Sequence, residues 1–236
     1  MNDRFSRSRA LIGEDGVEKL KKSTVAVFGV GGVGSFAVEA LARSGIGKLL
    51  LYDNDTVEES NINRQSVALC STVGEYKTEI AAKRCRDINP DITVETFNVF
   101  VDENTSLPLD EIDFIVDAVD NVAAKVFLAK TAEDKNIPII SVMGTGNKLH
   151  PERLKIGDIY DTRECPLCRK MRTELKKAGV ERLDCVWSDE RSENIAADTL
   201  RTDGHRAPAS MIFVPAAAGL TAAEYAVEKL LTANPK

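Results

Sequence analysis

The stretch TVAVFGVGGVGSFAVEALARSG, residues 24–45, decides the fold. Residues 24–30 are apolar and rich in β-branched side chains, the pattern of a strand buried on both faces. Gly29, Gly31 and Gly34 stand at G-x-G-x-x-G spacing, with Gly32 between them. From Ser35 to Arg43 the apolar residues recur at helical spacing, and Gly45 is placed to end that helix. A second apolar strand, KLLLYD, closes on Asp53. Strand, glycine turn, helix and strand make a βαβ unit, which crosses over right-handed into a parallel sheet.

Working outward, the alternation continues. A helix is expected over 75–89, strands over 93–100 and 112–120, a helix over 122–135 and a buried strand in IPIISVM behind Pro138. After residue 147 the pattern weakens to a short strand candidate in RLKIGDIY, a basic helix over 166–178 and a polar stretch over 188–209 that reads as a mobile loop. An alanine-rich helix over 215–231 closes the chain. The expectation is an α/β, doubly wound, Rossmann-like mixed sheet with helices on both faces. It forms one domain over 1–236, with a nucleotide-binding half (1–147) and a substrate and dimer half (148–236).

Composition narrows the class. The 236 residues carry 31 Lys and Arg against 37 Asp and Glu, a net charge of −6 that argues against non-specific coating of nucleic acid. No apolar run approaches the roughly 18 residues of a membrane span, and MNDRFSRSRA lacks the apolar core of a signal peptide. A cytosolic protein without a membrane partner is expected. Five cysteines, an odd number, argue against a disulfide framework.

The glycines let the backbone turn tightly and approach a phosphate, and the helix N-terminus behind them offers free N–H groups. Asp53, 24 residues after Gly29, is suited to ribose hydroxyls. This motif leaves the nucleotide undecided. The next stretch favours ATP over a nicotinamide: Asp53, Asp55, Asn61, Arg64 and Gln65 crowd acid, amide and guanidinium groups behind the second strand. Lys77 adds a cation 13 residues after Arg64. Asp117 and Asp120 close another strand, at the sheet edge where ligands sit, and an aspartate there can hold Mg²⁺.

These motifs, with Asp-Ala-Val-Asp-Asn at 117–121, resemble the adenylation domain of ubiquitin-activating enzymes and of the bacterial ThiF- and MoeB-type activators of sulfur-carrier proteins. The resemblance implies a homodimer in which a carboxylate attacks the α-phosphate of ATP. It further implies that Gly29, Gly31, Gly32, Gly34, Asp53, Asp55, Asn61, Gln65 and Asn121 bind the nucleotide. Arg64 and Lys77 polarise its phosphates, and Asp120 holds Mg²⁺. Arg7, in RFSR, resembles the residue that reaches into the partner's site.

The second half is similar to one subgroup, the tRNA threonylcarbamoyladenosine dehydratases, through GTGNKLHP (144–151), IGDI (156–159) and LDCVWS (183–188). The implied substrate is tRNA carrying threonylcarbamoyladenosine, closed to an oxazolone after adenylation; activation of a ubiquitin-like sulfur carrier is the alternative. A sulfur-transfer partner protein stays open. Ring closure is intramolecular and needs no enzyme thioester, so Cys185 reads as structural. Cys165 and Cys168 supply one CxxC pair where sulfur-carrier activators hold zinc with two, and Cys185 or His205 would have to complete the set. Cys70 and Cys85 read as core. Arg163, Arg169, Lys170, Arg172, Lys176, Lys177 and Arg182 form a basic cluster suited to RNA phosphates.

Overall fold

A computed structural model describes residues 3–191 and 208–233. It opens on a helix the sequence pattern does not announce, α1 (Ser6–Lys22), bent at Gly13 where φ is 77°. Only Gly16, Val17 and Leu20 of α1 are buried, too few apolar positions to make a stripe. The expected unit follows: β1 (Thr24–Phe28), α2 (Gly34–Ser44) ending on Gly45 at φ 94°, and β2 (Lys48–Tyr52). Next come α3 (Lys77–Ile88), β3 (Thr93–Phe97), β4 (Phe114–Asp117), α4 (Val122–Lys135) and β5 (Ile139–Val142). The second half adds β6 (Leu154–Asp158), α5 (Pro166–Ala178), β7 (Asp184–Ser188) and α6 (Phe213–Thr232).

All seven strands join one sheet in the order β3-β2-β1-β4-β5-β7-β6. Every pairing is parallel except β6 with β7. Successive residues of the central strands face opposite cores, as the pleat requires. Val25, Val27, Leu49 and Leu51 pack with α2, α3 and α6, whereas Ala26, Phe28, Leu50 and Tyr52 pack on the α4 side. A third cluster joins α5 to β7 through Met171, Leu175 and Cys185. The sheet is therefore mixed and doubly wound.

Several expectations need correction. β3 stops at Phe97 and β4 starts at Phe114, so both are shorter than their apolar runs. The second half continues the same sheet: β7 pairs directly with β5, Ser141 opposite Cys185 and Val142 opposite Val186. Cys85 is buried, but Cys70 is exposed in a 3-10 turn. The polar stretch is anchored where it starts: Ser188 ends β7, and Glu190 is buried with its carboxylate accepting from the N–H groups of Leu149 and His150 at 2.9 and 3.1 Å. The mobile loop expected over 188–209, and His205 within it, lie mostly outside the described residues. Among the described residues, no helix is long and apolar enough to cross a membrane.

Candidate functional site

The glycine turn is built from two kinds of glycine. Gly29 sits at φ 85° and donates its N–H to Tyr52 O at 2.7 Å; a Cβ there would lie 2.7 Å from Ala118 O. At Gly34 a Cβ would lie 1.7 Å from Gly29 O. These two let strand and helix close on each other. Gly31 and Gly32 face outward instead. A Cβ on Gly31 meets only Gln65 Nε2 at 3.8 Å, and one on Gly32 meets Pro215 and Arg64 at 3.4 and 3.5 Å. The N-terminus of α2 carries no side-chain cap. The Ser35 and Phe36 N–H groups turn back to Gly31 O and Val33 O at 3.0 and 3.2 Å, so an anion here would meet the backbone ahead of Ser35.

Asp53 ties this turn to the next segment. Its Oδ2 accepts from Val30 N–H at 2.6 Å and its Oδ1 from Asp55 N–H at 2.8 Å. Burial raises its pKa above the ordinary carboxylate value, and the Lys77 charge opposes that shift. Lys77, the first residue of α3, is buried and donates to Asp55 Oδ2 at 2.7 Å. Asn61 is buried and accepts from Glu58 N–H at 3.2 Å, capping the 3-10 turn at 59–61. Arg64 donates to Ser60 O and Asn63 Oδ1 at 2.8 and 2.9 Å, which spreads its guanidinium over the turn. Ser66 N–H reaches Ser35 Oγ at 3.1 Å, docking the whole segment on the start of α2. Gln65 is buried beside Gly31, and its Oε1 has no partner. The end of the amide that faces the glycine backbone is Nε2, a donor placed for an acceptor atom bound against Gly31.

The exit of β4 supplies the acids, but not both as expected. Asp117 is fully buried: its Oδ2 accepts from Ser141 Oγ at 2.5 Å and from Lys125 Nζ at 3.1 Å, so it is not an open metal ligand. Lys125 also donates to Val142 O at 2.8 Å. Asp120 is exposed in the loop before α4. Asn121 accepts from Ala124 N–H at 3.1 Å and caps α4. Lys125 was missed at the sequence level. Its signal is a lysine on the core-facing stripe with Leu128, Ala129 and Ala132.

Arg7 is not part of its own chain's site. Phe5 packs against Gly45 at the far end of α2, and Arg4 donates to Ile88 O at 3.3 Å at the end of α3. The 11 residues of α2 put about 16 Å between that anchor and the glycine turn.

Cys165 and Cys168 lie side by side in the buried α5 cluster with Cys185. Cys165 caps α5, its sulfur accepting from Cys168 N–H at 3.4 Å. The hydrogen bond from the Cys168 thiol pulls the Cys165 pKa down to about 6 against opposing burial; the Cys168 thiol is pushed up. Burial pushes the Cys185 thiol up to about 12, the inert side of the thiol range. Among the described residues, no three or more His, Cys, Asp or Glu side chains group to hold a metal, so the expected zinc set is not assembled there.

The basic cluster is only partly free. Arg172 is half-buried and donates to Thr162 O at 3.1 Å, Lys177 pairs with Glu174 at 2.9 Å, and Arg182 pairs with Asp184 at 2.8 Å. Arg163, Arg169 and Lys170 are exposed. Nearby, at the carboxyl edge of β7, opens a cavity of about 800 Å³ that includes Trp187, Arg153 and Arg163.

A doubly wound sheet with a bare glycine turn between its first strand and the next helix defines the class: a nucleotide-binding protein of Rossmann-like fold. The chain belongs to the ThiF family, whose profile matches residues 5–235. It is 42% identical over 243 residues to the tRNA threonylcarbamoyladenosine dehydratase of Bacillus subtilis, covering 98% of this chain and 96% of that one. It superposes on the crystal structure of the E. coli tRNA N6-threonylcarbamoyladenosine dehydratase in complex with ATP with a TM-score of 0.86. That match has 31% identity and covers 97% and 93% of the two chains. The E. coli molybdopterin-synthase adenylyltransferase is 37% identical over 141 residues, covering 58% of this chain and 57% of its own.

Proposed function

We propose that this chain is an ATP-dependent tRNA threonylcarbamoyladenosine dehydratase that works as a homodimer in the cytoplasm. The observation that carries the reading is the extent of similarity. A protein of that name matches 98% of the chain, including its second half, whereas the carrier-activating relative matches 58%. In this reading the 1–147 half handles the nucleotide, and the 148–236 half handles the RNA and the second copy.

The reaction has two steps. A substrate carboxylate oxygen bonds to the α-phosphorus of ATP, and pyrophosphate leaves. The neighbouring carbamoyl group then closes onto the acyl carbon, AMP leaves with the C–O electron pair, and the carbamoyl group gives up a proton. Gly31 and Gly32 admit the phosphates against backbone, with the α2 N-terminus and Arg64 opposing their charge. Gln65 turns its Nε2 toward Gly31, where it can donate to the same ligand, and Asp53 takes the ribose. Lys77, held by Asp55, is the second cation. Asp120 is the residue that would hold Mg²⁺, which draws charge from the phosphates when bound. Arg7, which follows residues anchored at the far ends of α2 and α3, serves the other protomer's site. The described residues do not assemble a zinc set, and no step here uses one.

The test is pyrophosphate release from ATP, with purified tRNA carrying the modification and, in parallel, a carrier protein ending in Gly-Gly. Release with the tRNA and a cyclised nucleoside by mass spectrometry are expected. Release with the carrier alone would replace this reading with the adenylyltransferase one.

A further inference from the structure

The cavity beside β7 takes no part in the adenylation chemistry, yet it opens on the same edge of the sheet. β4, β5 and β7 run parallel, so their carboxyl ends align. Trp187, next to last in β7, lies two strand spacings, about 10 Å, from the β4 exit that carries Asp120. At about 800 Å³ the cavity is within the roughly 300–1,000 Å³ of small-ligand sites.

Its lining selects against a polyphosphate. Four cations (Arg153, Lys155, Arg163, Arg191) face four carboxylates, and most are already paired. Asp189 accepts from Arg153 at 2.8 Å and from Lys155, and Glu164 holds Arg191 at 3.2 Å. A charge-balanced site bristling with donors and acceptors suits a neutral, flat, polar group. Trp187 supplies the platform. It is half-buried, and its Nε1–H has no partner among the described residues. The ring packs on the α5 core cluster, and the Lys155 ammonium stands over it, 5.6 Å from the ring centre. An incoming base shares the ring with Lys155 or displaces it; a Cβ on Gly157 would lie 3.9 Å from Nε1. Aromatic platforms with mixed polar rims are how single-stranded nucleic acid bases are held.

We propose that this cavity seats a second nucleobase of the RNA substrate, a neighbour of the modified one, stacked on Trp187. The inference rests on the RNA reading above and adds to it a contact that fixes which nucleotide reaches the ATP.

Trp187 is the chain's single tryptophan, so its emission reports on this cavity alone. The experiment titrates the full chain, with a non-hydrolysable ATP analogue, against the modified tRNA and against the Gly-Gly carrier. It then compares steady-state kinetics of W187L and W187F. Expected are quenching by the tRNA and not by the carrier, and a roughly 5- to 150-fold rise in KM for tRNA in W187L. KM for ATP should stay within about twofold and W187F should recover most of the loss, since a phenyl ring still stacks. Unchanged emission on saturating tRNA, quenching by the carrier instead, or an unaltered KM in folded W187L overturns the proposal. Should W187L not fold, the wild-type titration decides. A wild-type chain that binds tRNA with quenching but releases no pyrophosphate would sink the dehydratase reading and leave this one standing.

Discussion

Lys125 on α4 and Asp117 at the end of β4 form an ion pair, Nζ to Oδ2 3.1 Å, in which neither side chain reaches solvent. The pair pins the strand exit whose next residues, 118–121, pack against Gly29 and carry Asp120. Removing one partner strands a charge, which costs about 3–5 kcal/mol, whereas removing both does not. Lys125→Met is therefore expected to lose that much in urea unfolding, and adding Asp117→Asn to recover part of it. A loss below about 1 kcal/mol for Lys125→Met would refute the role.

The glycine turn separates folding from binding. Gly34→Ala puts a methyl 1.7 Å from Gly29 O, a backbone clash that should cost at least the roughly 1–3 kcal/mol of ordinary overpacking. Gly31→Ala meets nothing closer than 3.8 Å, so thermal stability should hold while ATP affinity falls at least about tenfold, because the methyl occupies the phosphate's approach. Calorimetric titration with ATP checks the second; equal affinity in Gly31→Ala would move the nucleotide elsewhere.

Asp120→Ala is expected to cut ATP–pyrophosphate exchange roughly a hundredfold or more, the scale of a metal ion's help to phosphoryl chemistry. Its side chain is on the surface, so unfolding free energy should change by less than about 1 kcal/mol. Exchange that persists in the variant contradicts the Mg²⁺ role.

Cys165 should be a thiolate at neutral pH. Ultraviolet thiolate absorbance is expected to titrate near pH 6, and Cys165→Ser to abolish that phase. The folded value lies below the ordinary 9.0, so the stability it contributes is full above that value and is lost as pH falls through about 6. Serine keeps the helix cap but not the thiolate, so Cys165→Ser should lose only the pH-dependent part of that stability, and Cys165→Ala about 1 kcal/mol more. A wild-type titration near 9 would show the sulfur is not so held.

Much of the fold was legible because β1, its glycines and α2 state their geometry locally: a run buried on both faces, a turn only glycine permits, a helix closed by Gly45. The Asn61–Gln65 block and Lys77 were legible as a polar cluster, but not that Asn61 would cap a 3-10 turn and Lys77 hold Asp55. Three further things were not. α1 buries too little to leave a periodic trace. Asp117 reads as an open acid until the fold brings Lys125 and Ser141 to it from two other elements. Trp187 reads only as part of the LDCVWS stretch, since neither β7 nor the cavity formed where β6 turns back antiparallel beside it leaves a local pattern.

The pairing of β5 with β7 has a mechanical meaning. With both halves on one parallel ladder, no hinge separates the nucleotide turn from the Trp187 cavity. The span between the two stations is settled when the chain folds, and the sheet acts as a ruler. On the reading proposed above, a substrate whose reactive group and flanking base differ from that span gains nothing from a closing motion, and selection would be by length before it is by chemistry.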